Sequence, residues 1–81
     1  MDTKTARAER ELARAGVSAR AFGTPDEAIL AAEVMLDLRA IEVHGRWFTI
    51  GKRDARRLRA AGVSFGYLRD REGEVYVVRF R

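Results

Sequence analysis

No cysteine occurs in the chain, and histidine and proline occur once each. The lack of cysteine excludes disulfides. Together with a single histidine, it also excludes zinc sites of the cysteine and histidine kind, which need at least three such ligands. A domain of 81 residues that has neither support must be held together by its apolar core. We therefore predict no metal and no cofactor.

Long apolar runs are also missing. The longest stretch without a charged side chain has nine residues, from Ala60 to Leu68, whereas a membrane-spanning helix needs about 20 mainly apolar residues. The first twenty residues alternate alanine with charged side chains and lack the apolar centre of a secretory signal. The sequence therefore predicts a soluble cytoplasmic protein without a membrane partner.

Acidic side chains are scarce in the second half of the chain. Residues 1–42 carry six basic and eight acidic side chains, and residues 43–81 carry ten basic and four acidic, so the net charges are −2 and +6. Fourteen of the sixteen basic residues are arginine, which contacts phosphate and carboxylate through two parallel hydrogen bonds. The C-terminal half therefore suits an anionic partner, although an arginine-rich composition alone would give the same count.

The N-terminal segment has few large apolar side chains. Residues 2–15 are predicted as a helix of alanine and charge that ends at Gly16. In its apolar stripe only Leu12 is large, so little apolar area holds this helix on the core. We predict a loosely docked helical arm over residues 1–23 and a compact α+β domain over residues 24–81.

The strongest local signal is the run Thr-Pro-Asp-Glu at residues 24–27. It supplies an N-cap hydroxyl, a proline at the first helical position and a glutamate that completes a capping box. The predicted helix runs to about Arg39. Because it is apolar around most of its circumference, we expect it at the centre of the domain. Its acidic stripe of Asp26, Glu33 and Asp37 suits docking on a basic helix of another copy or of a different partner.

Residues 41–50 alternate apolar and polar side chains around His44-Gly45, a two-residue connection typical of tight hairpins. Pairing of Val43 with Arg46 places the apolar side chains of both strands on one face. The same register sends Trp47 to the opposite face.

A second hairpin is predicted from residues 63–68 and 75–80. Its loop has either four residues, which pairs Tyr67 with Tyr76, or three, and the pattern does not distinguish them. The element order is helix, helix, hairpin, helix, hairpin. We therefore predict an α+β fold in which helices pack on one face of a four-stranded antiparallel sheet made of two β-hairpins.

Residues 52–61, between the hairpins, are predicted as a helix ended by Gly62, with an almost wholly cationic outward face. This face and nearby side chains form the candidate surface for nucleic acid or an acidic partner. Phosphate contacts supply most non-specific affinity for nucleic acid, and an outward-pointing Trp47 would stack on an unpaired base. Alternatively, the arginines are a solvated face, and the tryptophan is covered by the N-terminal helix or a second subunit. The predicted surface consists of Lys52, Arg53, Arg56, Arg57, Arg59, Arg46, Trp47, Arg69 and Arg71.

Two segments of the chain have similar sequences. Residues 10–18 match residues 56–64 at six of nine positions. Both segments are typical of a helix that ends in glycine before an extended segment, and we assign them no function.

We predict a small non-enzymatic binding protein whose basic C-terminal surface engages DNA, RNA or a nucleoprotein. The alternative is a protein–protein interaction module, an inhibitor or adaptor acting alone or as a homodimer, because the second helix and the last hairpin carry surplus apolar surface. A third hypothesis is a small ribonuclease that uses His44 with Glu42 and Arg46 as acid, base and phosphate ligand. No residue is assigned as catalytic.

Overall fold

A computed structural model describes residues 3–79, which form three helices and five strands. The strands form one antiparallel sheet in the order β1-β3-β2-β4-β5. The α+β class and the antiparallel sheet are confirmed, but the sheet has five strands rather than four. The additional strand lies within the segment predicted as an arm. The elements are α1 (Thr3–Arg14), β1 (Ala19–Phe22), α2 (Pro25–Val34), β2 (Leu38–Val43), β3 (Arg46–Gly51), α3 (Asp54–Ala60), β4 (Gly66–Arg71) and β5 (Glu74–Arg79).

The β2–β3 hairpin is the centre of the fold and has the predicted register. Val43 lies opposite Arg46, and Glu42 lies opposite Trp47. The two turn residues before Arg46 both have positive φ, 51° at the histidine and 75° at the glycine, as the tight hairpin turn requires. The alternation places Phe48, which is 1% exposed, on the face opposite Trp47.

Helices lie on both faces of the sheet. Helices α1 and α3 pack on the face that presents Ile41 and Phe48. Helix α2 packs on the other face, where Ala28 meets Ala40 and Leu68. The prediction of helices on one face is therefore wrong. Strand β2 has buried apolar side chains on both faces, Ile41 and Val43 on one and Ala40 on the other, which is typical of a strand covered on both sides.

Helix α2 begins as predicted and ends earlier than predicted. The N–H of Glu27 donates to Oγ1 of Thr24 at 3.3 Å, which confirms Thr24 as the N-cap, with Pro25 at the start of the helix. The Glu27 carboxylate accepts from the Thr24 hydroxyl at 3.0 Å, and not from the Thr24 backbone N–H as a capping box requires. The helix ends at Val34 instead of about Arg39, because residues from Leu38 onward pair with β3. It is an outer layer and not the centre of the domain, since the Val34 side chain is 73% exposed.

Helix α1 is docked in the core, so the prediction of loose docking is wrong. Ala8 and Leu12 are 0% and 2% exposed, and they join the same cluster as Phe48. Small alanine side chains let the helix approach the sheet closely, which compensates for the thin apolar stripe. The boundary between an arm of residues 1–23 and a domain of residues 24–81 stays a prediction. It separates β1 from its partner strand β3.

The two segments of similar sequence end their helices in the same way. Gly16 and Gly62 adopt left-handed conformations, with φ of 74° and 75°. The N–H of the following residue, Val17 or Val63, donates to the carbonyl of a leucine five residues earlier, at 3.0 Å in both cases. These are Schellman motifs, in which the valine and the leucine pack together. They lead into β1 and β4, which border the β2–β3 hairpin on its two sides.

The β4–β5 hairpin closes with two residues, not with three or four. Glu72 and Gly73 form the turn at φ of 53° and 82°. Tyr67 therefore lies opposite Val78 instead of Tyr76. The sequence pattern missed this turn because glutamate seldom adopts the left-handed conformation that the turn requires.

Candidate nucleic-acid interface

Cationic side chains border a concave surface beside the start of α3. Lys52 and Arg53 lie in the turn between β3 and α3, and Arg56 follows on the helix. Arg39 of β2 and Tyr67 of β4 complete the lining. We call the surface formed by these five residues the basic concavity.

The local fold explains why these side chains meet. The N–H of Lys52 donates to the carbonyl of Asp37 at 2.8 Å, which ties the β3–α3 turn to the start of β2. On α3, Ala55 and Leu58 are buried against the sheet. Because helix positions three residues apart share a face, Arg56 must lie on the exposed side.

The charges at the start of α3 are largely uncompensated. Within residues 3–79, Lys52, Arg53 and Arg56 make no salt bridge or hydrogen bond through their side chains. Arg57 differs, since its Nη1 lies 3.7 Å from a carboxylate oxygen of Asp54 and donates to a backbone carbonyl of the α1–β1 loop at 3.3 Å. An exposed pair of this kind contributes little free energy. The first three side chains therefore carry most of the available positive charge.

Arg39 belongs to the basic concavity, although sequence reasoning did not include it. Its Nη1 donates to the carbonyl oxygens of Leu36 and Leu38, at 3.1 and 2.9 Å. These bonds hold the guanidinium group at the edge of the concavity. The residue was missed because the second helix was predicted to extend to this position, whereas a helix end at Val34 would have placed Arg39 in a strand.

An arginine and a tyrosine stack at the other side of the concavity. The guanidinium carbon of Arg69 lies 5.7 Å from the ring centroid of Tyr67. The Tyr67 ring also packs edge-to-face on Phe65, with 5.7 Å between centroids and an interplanar angle of 89°. Flat cationic and aromatic groups of this kind stack on nucleic-acid bases in other proteins.

Four other predicted residues lie away from the concavity. Nε of Arg46 donates to Oγ1 of Thr5 at 2.9 Å, and this bond fastens α1 to the β2–β3 hairpin. Trp47 is half-buried on the opposite face of the sheet, in the cluster that includes Ala28 of α2. Its cover within the chain is therefore α2, and not α1. Arg71 is exposed at the far end of β4. Arg59 lies on the exposed side of α3, near its end.

The side chains proposed for a ribonuclease engage different partners. Nε2 of His44 contacts a carboxylate oxygen of Glu11 on α1. Glu42 is buried, and its carboxylate accepts hydrogen bonds from Arg79 and from the N–H of Gly45. The structure does not bring the predicted acid and base together.

Comparisons with protein-family models, with curated proteins and with solved structures find no match to this chain. Among the helices of residues 3–79, none has both the length and the apolar content needed to cross a bilayer. In the same part of the chain, no three metal-ligating side chains cluster together.

Proposed function

We propose that this protein binds nucleic acid through the basic concavity and the adjacent Arg69. The observation that carries the proposal is the exposed charge of Lys52, Arg53 and Arg56, none of which forms a salt bridge with a carboxylate of residues 3–79. Asp37 and Asp54 line a neighbouring hollow with Lys52 and Arg53 without pairing with them. A concave cationic surface attracts phosphate groups over a longer range than isolated charges do. Tyr67 adds a flat group at the same place.

The proposal predicts a strong dependence of affinity on salt. Each phosphate that a cation neutralises contributes about −0.7 to the slope of log K against log salt concentration for single strands, and about −0.9 for a duplex. Contacts from the four cationic residues of the concavity therefore give a slope of about −3 for single strands. For a duplex the slope is about −4.

The test is the fluorescence anisotropy of labelled DNA and RNA of about 12 nucleotides, single-stranded and duplex, over a range of salt concentrations. The decisive variant carries Lys52→Glu, Arg53→Glu and Arg56→Glu. The matched control reverses three exposed arginines of α1, through Arg7→Glu, Arg10→Glu and Arg14→Glu. Both variants change the net charge equally.

We expect the α3 variant to lose binding and the α1 control to retain most of it. Equal losses in the two variants would show that binding follows only the net charge. Absence of binding by the unmodified protein at low salt would refute the proposal.

A second candidate function, as a protein–protein interaction module, has its own support. Leu30, Val34 and Leu36 are 61%, 73% and 85% exposed. Exposed apolar patches on small domains commonly mark interaction sites. This surface lies on the face of the sheet opposite α3, so the two functions are compatible.

A further inference from the structure

The last strand of the sheet leaves one edge open. Strand β5 ends the strand order, and β4 is the strand that pairs with it. The two-residue turn makes Arg71 and Glu74 a hydrogen-bonded pair, and such pairs alternate along an antiparallel ladder. The backbone N–H and C=O groups of Val75, Val77 and Arg79 therefore point away from β4. No other strand of the described residues pairs with them.

The centre of this edge strand is apolar and exposed. Its residues 75–78 are Val-Tyr-Val-Val, and they pair with β4 without a bulge. Tyr76 is 46% exposed, and Val77 and Val78 are each 38% exposed. Edge strands of natural sheets commonly carry a charge, a proline or a bulge that prevents pairing with another chain. Strand β1, at the opposite edge, is short and contains Arg20, whereas the centre of β5 has none of these features.

The edge of β5 complements itself when two copies run antiparallel. A two-fold axis perpendicular to the sheet joins two edges without turning either sheet over, so opposite residues share a face. In the register centred on Val77, this residue lies opposite the partner's Val77, and Tyr76 lies opposite the partner's Val78. Each exposed apolar side chain of β5 then meets an apolar one. Sliding one strand by two residues would instead oppose Val78 to the partner's Glu74, or Val77 to the partner's Arg79.

The charges at the two ends of β5 also favour antiparallel pairing. Glu72 and Glu74 are exposed at the turn, and Arg79 is exposed at the other end of the strand. Antiparallel pairing places the acidic end of each copy beside the basic end of the other, whereas parallel pairing would place like charges together.

A second copy could instead insert β5 into the groove between α2 and β1, which Phe22, Leu30 and Val34 help to line. That contact is head-to-tail, so every pair would leave one groove and one edge open. Such a contact continues into a ring or a filament. Pairing of the two edges about a two-fold axis closes at two copies.

We propose that two copies of this chain form a dimer through their β5 edges, in the antiparallel register centred on Val77. The two five-stranded sheets become one continuous sheet, as in other complexes in which an added strand extends a sheet. The contact is narrow, because one strand from each copy forms it. We therefore expect a dissociation constant in the micromolar range or weaker.

The dimer would join the two candidate nucleic-acid surfaces. Within one copy, Tyr67 lies opposite Val78, and Arg69 lies opposite Tyr76. A row across the dimer therefore contains Tyr67, Val78, the partner's Tyr76 and the partner's Arg69, over three strand spacings of about 4.8 Å each. Because the axis is perpendicular to the sheet, both basic concavities face the same side. This consequence rests on the proposed function, but the dimer itself does not.

The test is sedimentation equilibrium of the full chain without nucleic acid, at concentrations from about 10 to about 500 μM. We expect a monomer–dimer equilibrium. A monomer at every concentration would overturn the proposal. Oligomers that grow beyond two copies would also overturn it, because they indicate a head-to-tail contact.

Substitutions at the two-fold axis test the register. Val77→Lys and Val77→Glu each oppose two like charges and remove an apolar pair, so each should weaken the dimer at least about tenfold. Circular dichroism checks that both variants fold. An equimolar mixture opposes lysine to glutamate and should recover the dimer at concentrations where each variant alone is monomeric. A mixture that stays monomeric would overturn the register centred on Val77.

The matched control changes the other exposed apolar surface. Leu30→Lys with Val34→Lys alters side chains of α2 that are 61% and 73% exposed, and it should leave the dimer unchanged. Dissociation by this variant would overturn the proposal, because α2 would then form the interface. Since nucleic acid is absent from these measurements, failure of the proposed nucleic-acid function would not alter their results.

Discussion

Gly66 is the position at which one added methyl group should do the most damage. It lies in a row that crosses all five strands, in the order Phe22, Trp47, Glu42, Gly66 and Arg79. The Arg79 side chain passes over the glycine, and its Nη2 donates to Oε2 of Glu42 at 2.9 Å. An arginine on β5 thus reaches a buried carboxylate on β2, two strands away, because the residue between them has no side chain.

The structure sets the size of the effect. A Cβ atom at Gly66 would overlap Cγ1 of Val77, and it would lie 3.1 Å from the carbonyl oxygen of Val78 and 3.2 Å from Cγ of Arg79. Overpacking of this kind costs about 1–3 kcal/mol. Displacement of the arginine would also weaken charge-assisted hydrogen bonds to the buried Glu42, each worth about 1.5–3 kcal/mol. After the gain of about 0.5–1 kcal/mol for replacing a strand glycine, Gly66→Ala should destabilise the fold by about 2–4 kcal/mol.

Urea denaturation followed by circular dichroism measures this difference directly. The matched control is Gly23→Ala, where the nearest atom to an added Cβ is a carboxylate oxygen of Glu27 at 3.7 Å. That substitution should be neutral or stabilise the fold by up to about 1 kcal/mol. The double variant Gly66→Ala with Val77→Ala should recover part of the loss. If Gly66→Ala proves as stable as Gly23→Ala, the close passage of Arg79 over Gly66 is wrong.

Three further predictions concern the contacts that hold the sheet and α1 together. A double-mutant cycle of Glu42→Gln and Arg79→Met, measured by urea denaturation, should give a coupling free energy of about 1–2 kcal/mol. The coupling is limited because the carboxylate is buried while the guanidinium group is half-exposed. Additive effects of the two substitutions would show that the two side chains are not bonded in solution. Deletion of residues 1–23 should abolish cooperative unfolding, since it removes the buried Leu12 and β1, one of the two strands that pair with β3. A sharp transition with dispersed amide resonances would instead establish the predicted domain of residues 24–81. His44→Ala should cost about 0.5–1.5 kcal/mol through loss of the contact with Glu11, with Glu11→Ala giving the same loss and the double variant no more.

Local patterns in the sequence were sufficient to predict two features of the fold, the β2–β3 hairpin and the start of α2. The β2–β3 hairpin was predicted with its register because its turn and its alternation both lie within ten residues. The start of α2 was predicted because the side chains that cap a helix are its own neighbours in sequence. Neither inference depends on the rest of the fold.

Other features depend on contacts between distant segments, which the sequence does not display. Strand β1 has four residues, none of them buried, and it becomes a strand only through pairing with β3. Helix α2 packs through Ala28 on Ala40 and Leu68, which are distant from it in sequence. The apolar run of α2 suggested a central helix, whereas the structure exposes Leu30 and Val34.

The candidate site was predicted in part. Helical spacing correctly places Arg56 on the exposed side of α3. Lys52 and Arg53 were predicted on the same helix, but α3 begins at Asp54 and they lie in the turn before it. The contribution of Arg39 depends on where α2 ends and on how the β3–α3 turn lies against β2. The position of Trp47 under α2 depends on the helix crossing that face of the sheet. These features arise only when the layers assemble.

Amide and side-chain NMR spectra, recorded during titration with a short single-stranded oligonucleotide at low salt, test the central claim most directly. The account predicts that the largest shifts occur at Lys52–Arg56, Arg39 and the Tyr67 ring, and that added salt reverses them. Shifts confined to α2 or to the exposed side of α1, or no shifts at all, would contradict the assignment of the basic concavity as the nucleic-acid interface.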